Sequence, residues 1–158
     1  MKDILSKQSK DTRCHILSAV TLFDAFYKRD GMTRIHDEML LDVLSLTKAD
    51  KESFPKTSYS QIVSNLKTIS DPEVRHWVIT NTYAPVLRSR RADALKKFRT
   101  FCSDLGWDAN EIKESMELTE ELEELKPIDI GVKSSGSGCL SIVAFIVVCT
   151  ALFAFALT

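Results

Sequence analysis

The chain has 158 residues, with 21 basic and 22 acidic side chains and a formal net charge of −1. This balance excludes a general attraction to nucleic acid, so any argument from charge depends on local groups of residues. The four cysteines, at positions 14, 102, 139 and 149, have no C-x-x-C spacing and no pairing pattern, which argues against a disulfide scaffold or a zinc site.

The N-terminal sequence is charged from Lys2 onward and lacks an apolar stretch, so we expect no secretory signal peptide and a cytoplasmic domain. From there to residue 126 a helical period dominates and alternating strand patterns are absent. We therefore predict an all-α fold, a single bundle of about six helices followed by one C-terminal transmembrane helix. The domain boundaries are 1–126 for the bundle, 127–138 for a Ser/Gly-rich flexible linker and 139–157 for the span.

Local signals set the ends of the predicted helices. A capping box at Ser70 to Glu73, with a proline in the first turn, starts the fourth helix. Pro85 is expected to kink or stop that helix near Tyr83, because proline removes a backbone donor. Gly106 suits the left-handed cap that ends the fifth helix. The helices are predicted at 11–29, 33–46, 57–69, from 72, at 90–105 and from 108 towards 125, with a turn or short helix at 47–54.

The stretch 139–157 contains no charged residue, and as a helix it would be about 28 Å long, which matches the apolar thickness of a bilayer. Lys126 and Lys133 precede it, in agreement with a cytoplasmic domain. A buried core helix is the alternative, whereas a cleaved lipid-anchor signal lacks the required spacer. Cys139 is either a palmitoylation site or simply interfacial. The predicted anchor residues are Leu140, Ile142, Val143, Phe145, Ile146, Val147, Val148, Leu152, Phe153 and Phe155.

Three acidic residues, Asp30, Asp37 and Glu38, offer oxygen ligands of the kind that calcium prefers. Three carboxylates are too few for calcium without help from the backbone or a partner. The alternative is that Asp30 serves the Asp-Gly turn and that Asp37 and Glu38 favour the N-terminal end of the second helix.

A basic group surrounds the start of the fifth predicted helix, and we expect it to contact lipid headgroups or an acidic partner. RNA is disfavoured and no nucleic acid is expected, because no aromatic residue is interleaved on the basic face. An acidic group follows at 108–124, and the alternative is that the two groups partly neutralise each other. The basic group consists of Arg88, Arg90, Arg91, Lys96, Lys97 and Arg99.

No motif of a catalytic nucleophile, a phosphate-binding loop or a paired cysteine and histidine occurs in the sequence. The three histidines lack a spacing suited to joint metal binding. The sequence therefore predicts a protein that is not an enzyme and has no resident cofactor, with calcium as the one candidate ligand.

Two stretches resemble the TerB-like domain of tellurite-resistance and stress proteins. The first is LFDAFYKRDGMTRIHDEMLLDVLSL, with its acidic-Gly turn at Asp30-Gly31, and the second is RRADALKKFRTFCSDLGWDANEIKE, with its Leu-Gly turn at Leu105-Gly106. The resemblance implies a helical fold over about residues 12–118 and an acidic surface linked to metal binding. The second acidic-Gly turn of that family is replaced here by residues 87–90, which puts a metal site in doubt.

These patterns predict a tail-anchored membrane protein that presents a helical protein-interaction module to the cytoplasm, with a TerB-like role in stress or defence. The membrane bilayer and an unidentified protein are its expected partners. One alternative is a tail-anchored regulator of cell death of the Bcl-2 type, although its N-W-G-R motif is absent. Another is a calcium-responsive or metal-responsive membrane sensor.

Overall fold

The computed structural model describes residues 1–27 and 33–124, apart from the side chains of 33–36. The described part consists of helices joined by short turns and contains no strand, which confirms the all-α prediction there. Its eight helices are α1 (Lys2–Ser6), α2 (Lys10–Asp24), α3 (Thr33–Val43), α4 (Lys48–Ser53), α5 (Tyr59–Leu66), α6 (Pro72–Ser89), α7 (Ala92–Leu105) and α8 (Ala109–Glu124).

The internal contacts divide the chain into two units, Met1–Glu120 and Glu121–Thr158. Of the second unit, the described part is the last turn of α8. The predicted linker at 127–138, the predicted span at 139–157 and Cys139 lie outside the described residues. Among the helices within 1–27 and 33–124, none is both long enough and apolar enough to cross a bilayer.

Helix α6 is the central helix of the first unit and packs against α1, α2 and α7. From Val78 to Val86 nearly every side chain is buried, whichever side of the helix it lies on. The buried stretch includes Thr80 and Thr82, so it is enclosed on all sides without being wholly apolar. A helix enclosed in this way needs other helices around it.

Aromatic rings from α2, α6 and α7 form the middle of the core. Phe23 of α2 lies between two rings of α7, with ring centroids 5.7 Å from Phe98 and 5.2 Å from Phe101. Tyr83 of α6 stacks on Phe98 at 4.8 Å. The three phenylalanines are completely buried, and edge and offset contacts of this kind stabilise a core beyond the area that they bury.

Of the two outcomes predicted for Pro85, a kink or a stop near Tyr83, the stop is wrong, because α6 continues to Ser89. Proline removes the donor that would bond to the carbonyl of Asn81. Pro85 itself is buried among the surrounding helices, and the tertiary packing outweighs the local helix-breaking tendency. The helix begins at Pro72, as predicted, but its N-cap is Asp71 and not Ser70, since the carboxylate of Asp71 accepts from the backbone N–H groups of Glu73 and Val74.

Other helix ends agree with the sequence signals or shift by a few residues. Residues 47–54 contain a true short helix, α4, with a capping box between Thr47 and Asp50. Gly106 ends α7 with a left-handed φ of 64°, as predicted. The first predicted helix, 11–29, is shorter, because α2 ends at Asp24. The additional helix α1, which the sequence did not predict, buries Leu5.

Candidate binding surface at the α6–α7 corner

A tight turn joins α6 to α7 at the centre of the predicted basic group. Arg90 adopts a left-handed conformation with φ 53°, which reverses the chain direction after Ser89. The hydroxyl of Ser89 donates to the carbonyl of Val86 at 2.7 Å and accepts from the backbone N–H of Arg91 at 3.3 Å. These bonds define the turn from which the basic side chains project.

Three cations of the basic group lie over two aromatic rings at the end of α2. The guanidinium of Arg88 lies 5.8 Å from the ring centroid of Tyr27, and that of Arg91 lies 5.3 Å from the centroid of Phe26. The ammonium of Lys97 approaches the same Phe26 ring at 5.4 Å. Cations within about 6 Å of a ring are attracted to its negative face. We call these five residues the basic corner.

The charge of the basic corner is partly compensated within α7. The guanidinium of Arg91 forms two hydrogen bonds to the carboxylate of Asp93, at 2.6 and 3.0 Å. Each partner stabilises the charged form of the other, so the pKa of Asp93 is lowered and that of Arg91 is raised. Arg91 nevertheless keeps 53% of its side chain exposed, and the corner retains a net positive charge.

The structure separates Arg99 from the basic corner. Residues two apart on a helix point about 200° apart, so Lys97 and Arg99 lie on different flanks of α7. Arg99 lies near Tyr83, where its positive charge acts against the raised pKa of that phenol. That pKa is raised first by burial and then by the hydrogen bond that Tyr83 donates to Glu120 at 2.6 Å. Of the remaining basic residues, Arg90 and Lys96 are exposed at the surface.

The acidic helix α8 is attached to α6 by polar contacts. Arg75 pairs with Glu111 at 2.7 Å, in addition to the bond between Tyr83 and Glu120. A third contact joins His76 Nδ1 to the buried hydroxyl of Ser115 at 2.8 Å. The cation that contacts the start of α8 is thus Arg75 of α6, outside the predicted basic group.

Two of the three predicted metal ligands, Asp37 and Glu38, lie in the described part of the chain. Asp37 and Glu38 lie in the middle of α3, not at its N-terminal end. Asp37 pairs with Lys51 at 2.7 Å and Glu38 with Lys48 at 3.4 Å, both lysines being on α4. Asp30 lies outside the described residues. No group of three or more histidine, cysteine, aspartate or glutamate side chains is placed to hold a metal within 1–27 and 37–124.

The cysteines and histidines of the described residues take part in packing and in contacts between helices. Burial raises the pKa of the Cys102 thiol to about 12, so this thiol stays protonated at neutral pH. Cys14 is buried in the core, and burial raises its pKa as well. His15 packs edge-on against Phe54 with ring centroids 5.1 Å apart. These residues contribute to packing and to contacts between helices.

Sequence reasoning found the basic residues of the surface but missed its aromatic part. Helical periodicity places Tyr27 on the apolar stripe of the first predicted helix and Phe26 at its edge, whereas the structure leaves both rings half-buried. The signal was their position at the end of that helix, where the apolar stripe passes out of the bundle.

Comparison with protein-family models, with curated proteins and with solved structures gives no match for this chain. The similarity to the TerB-like domain therefore stays a resemblance of sequence patterns. The described part of the chain is a helical bundle with a basic corner.

Proposed function

We propose that this protein is a membrane-anchored interaction module in which residues 139–157 span a bilayer and the helical domain recruits a protein partner at the cytoplasmic face. The observation that carries the proposal is the uncharged apolar run at 139–157, which has the length needed to cross the apolar layer of a membrane. The TerB-like resemblance is the sole support for a role in stress or defence.

The helical domain supports a binding role. Many of its polar side chains form helix caps or join helices, as Asp71 does at α6 and Ser115 does between α6 and α8. In contrast, exposed charges of one sign are concentrated at the α6–α7 turn and of the other sign along α8. Surfaces that carry opposite charges in separate places are suited to orienting a domain and selecting a partner.

Cell fractionation tests the membrane span. The full chain is expected to stay in the membrane pellet after extraction at alkaline pH. The double substitution Ile146→Lys and Val148→Lys places two charges near the middle of the run, each costing about 3 kcal/mol on insertion. The double-lysine variant is therefore expected in the supernatant.

The matched control is the double substitution Ile146→Leu and Val148→Leu, which keeps the run apolar and is expected in the pellet. The span is refuted if the unchanged chain is found in the supernatant, or if the double-lysine variant resists extraction as well as the leucine control does.

Affinity capture tests the recruitment step. The full chain, solubilised in mild detergent, is compared with a chain that ends at Pro127. Partners that bind both forms recognise the helical domain, and partners lost on truncation depend on membrane placement. Absence of any partner specific to the full chain or to the domain contradicts the recruitment function.

A further inference from the structure

We propose that the basic corner binds anionic phospholipid headgroups and so docks the helical domain onto the membrane that anchors it. This inference rests on the proposed function for the proximity of the membrane. It adds a lipid-binding site composed of Phe26, Tyr27, Arg88, Arg91 and Lys97.

The composition of the basic corner fits the interface between water and lipid. The two half-buried rings of Phe26 and Tyr27 lie beside cations from both α6 and α7. Tyrosine rings such as that of Tyr27 favour the headgroup level of a bilayer, where the apolar ring and the polar hydroxyl are both satisfied, and the Phe26 ring adds apolar surface beside it. Arg and Lys side chains bury their stems there while their charged ends remain hydrated.

Charge complementarity favours lipid over an acidic peptide. The cations come from two helices and a turn, and Arg91 is already engaged with Asp93. Exposed Arg90 and Lys96 extend the positive charge around the start of α7. A dispersed positive surface matches mobile anionic headgroups, which rearrange to meet each cation, better than it matches a peptide with fixed spacing.

The proposed span at 139–157 tethers the helical domain to the same bilayer. The attraction between exposed charges extends over about 8 Å at physiological ionic strength. The tether therefore gives lipid a high effective concentration at the domain, and a weak individual affinity is sufficient for docking.

Lysine footprinting on the full chain tests the site. The protein is placed in vesicles of phosphatidylcholine alone, or in vesicles in which phosphatidylserine forms about a third of the lipid. Exposed amines are acetylated with a water-soluble reagent, and the rate at each lysine is measured by mass spectrometry. We expect the rate at Lys97, relative to the reference Lys56, to fall about tenfold in the anionic vesicles and to recover in high salt.

Two variants measure separately how much the positive charges and the aromatic rings contribute to the protection at Lys97. The double substitution Arg90→Gln and Lys96→Gln removes two exposed charges beside the basic corner, and it is expected to reduce the protection at Lys97. Phe26→Leu keeps an apolar side chain but removes the ring, and is expected to reduce the protection partly. The matched control, Lys7→Gln with Lys67→Gln, removes the same charge at the ends of α1 and α5 and is expected to leave the protection unchanged.

The outcomes separate this inference from the proposed function. Equal rates at Lys97 in both vesicles, with the protein bound to both, overturn lipid docking and leave the span intact. Protection by an added polyglutamate peptide but not by lipid overturns it in favour of an acidic partner. A chain that floats only with anionic vesicles and is protected at Lys97 supports docking while refuting the span. A chain that floats with neither vesicle overturns both.

Discussion

The hydrogen bond between His76 and Ser115 predicts a measurable coupling between α6 and α8. The hydroxyl of Ser115 donates its one proton to the carbonyl of Glu111 at 2.7 Å. It must therefore accept from His76 at the 2.8 Å contact, which places a proton on Nδ1 of the imidazole. The Ser115 side chain is only 2% exposed. Ser115→Ala removes its hydroxyl, which is the acceptor for His76.

The expected destabilisation follows from two opposing terms. Loss of an acceptor for a partly buried donor costs about 1–2 kcal/mol, the lower part of the range for unsatisfied groups. Alanine has the higher helix propensity, which returns roughly 0.5 kcal/mol. We therefore expect Ser115→Ala to lower the free energy of unfolding by about 1 kcal/mol. Removing both partners, with His76→Phe and Ser115→Ala together, is expected to cost less than the sum of the single changes by about 1 kcal/mol.

Urea denaturation of residues 1–126, followed by circular dichroism, measures these differences. The Ser115→Ala midpoint is expected to be roughly 1 M lower at an unchanged slope. Ser103→Ala, at an exposed position of α7, controls for helix propensity and is expected to be neutral or slightly stabilising. Single-variant costs that add within about 0.3 kcal/mol in the double variant would refute the proposed hydrogen bond.

Three further predictions concern single side chains. Burial lowers the pKa of His76 below its ordinary 6.5. The stability that the neutral imidazole provides is therefore complete above pH 6.5 and is lost as pH falls through the lowered pKa. His76→Phe should flatten the dependence of the urea midpoint on pH in this range. Gly106→Ala should cost about 1 kcal/mol in thermal unfolding, because φ is 64° while no atom lies within 4 Å of an added Cβ, and a larger loss would indicate a steric cause. Arg13→Met should speed hydrogen exchange in the last turn of α3, because the guanidinium donates to the carbonyls of Leu44 and Ser45 at 2.8 Å each; unchanged exchange would contradict this capping role.

The predictions from sequence succeeded where one local signal determined the structure. Gly106 was assigned correctly because few other residues accept a left-handed cap at low cost. The predicted stop at Pro85 did not occur, because the packing that keeps α6 continuous comes from helices distant in sequence. The serine and threonine at positions 115 and 119 were not expected to be buried, yet both lie inside on α8, where each hydroxyl bonds to a carbonyl of its own helix.

The positive charge of the candidate site was predictable from the sequence, but which basic residues share one surface was not. Lys97 and Arg99 have the same charge and lie two residues apart, and their separation onto different flanks depends on which face of α7 is buried. Helical periodicity places Leu95, Phe98 and Cys102 on the apolar stripe of the fifth predicted helix. The structure buries Phe98 fully but has Ala94 and Phe101 as its fully buried neighbours, so the buried face is slightly rotated. A small error in the orientation of a helix changes which charges share a surface, and sequence periodicity does not resolve it.

This arrangement makes lipid docking independent of the attachment of α8. Arg91 and Lys97 contact the ring of Phe26, on the side of α7 that faces the end of α2. The hydrogen bond of Tyr83 to Glu120 lies on the other flank, near Arg99. Docking therefore requires no change at the contacts that hold α8, and losses from the two surfaces should add. In the proposed docking, headgroups bind one flank of the domain and leave the exposed carboxylates of α8 on another surface.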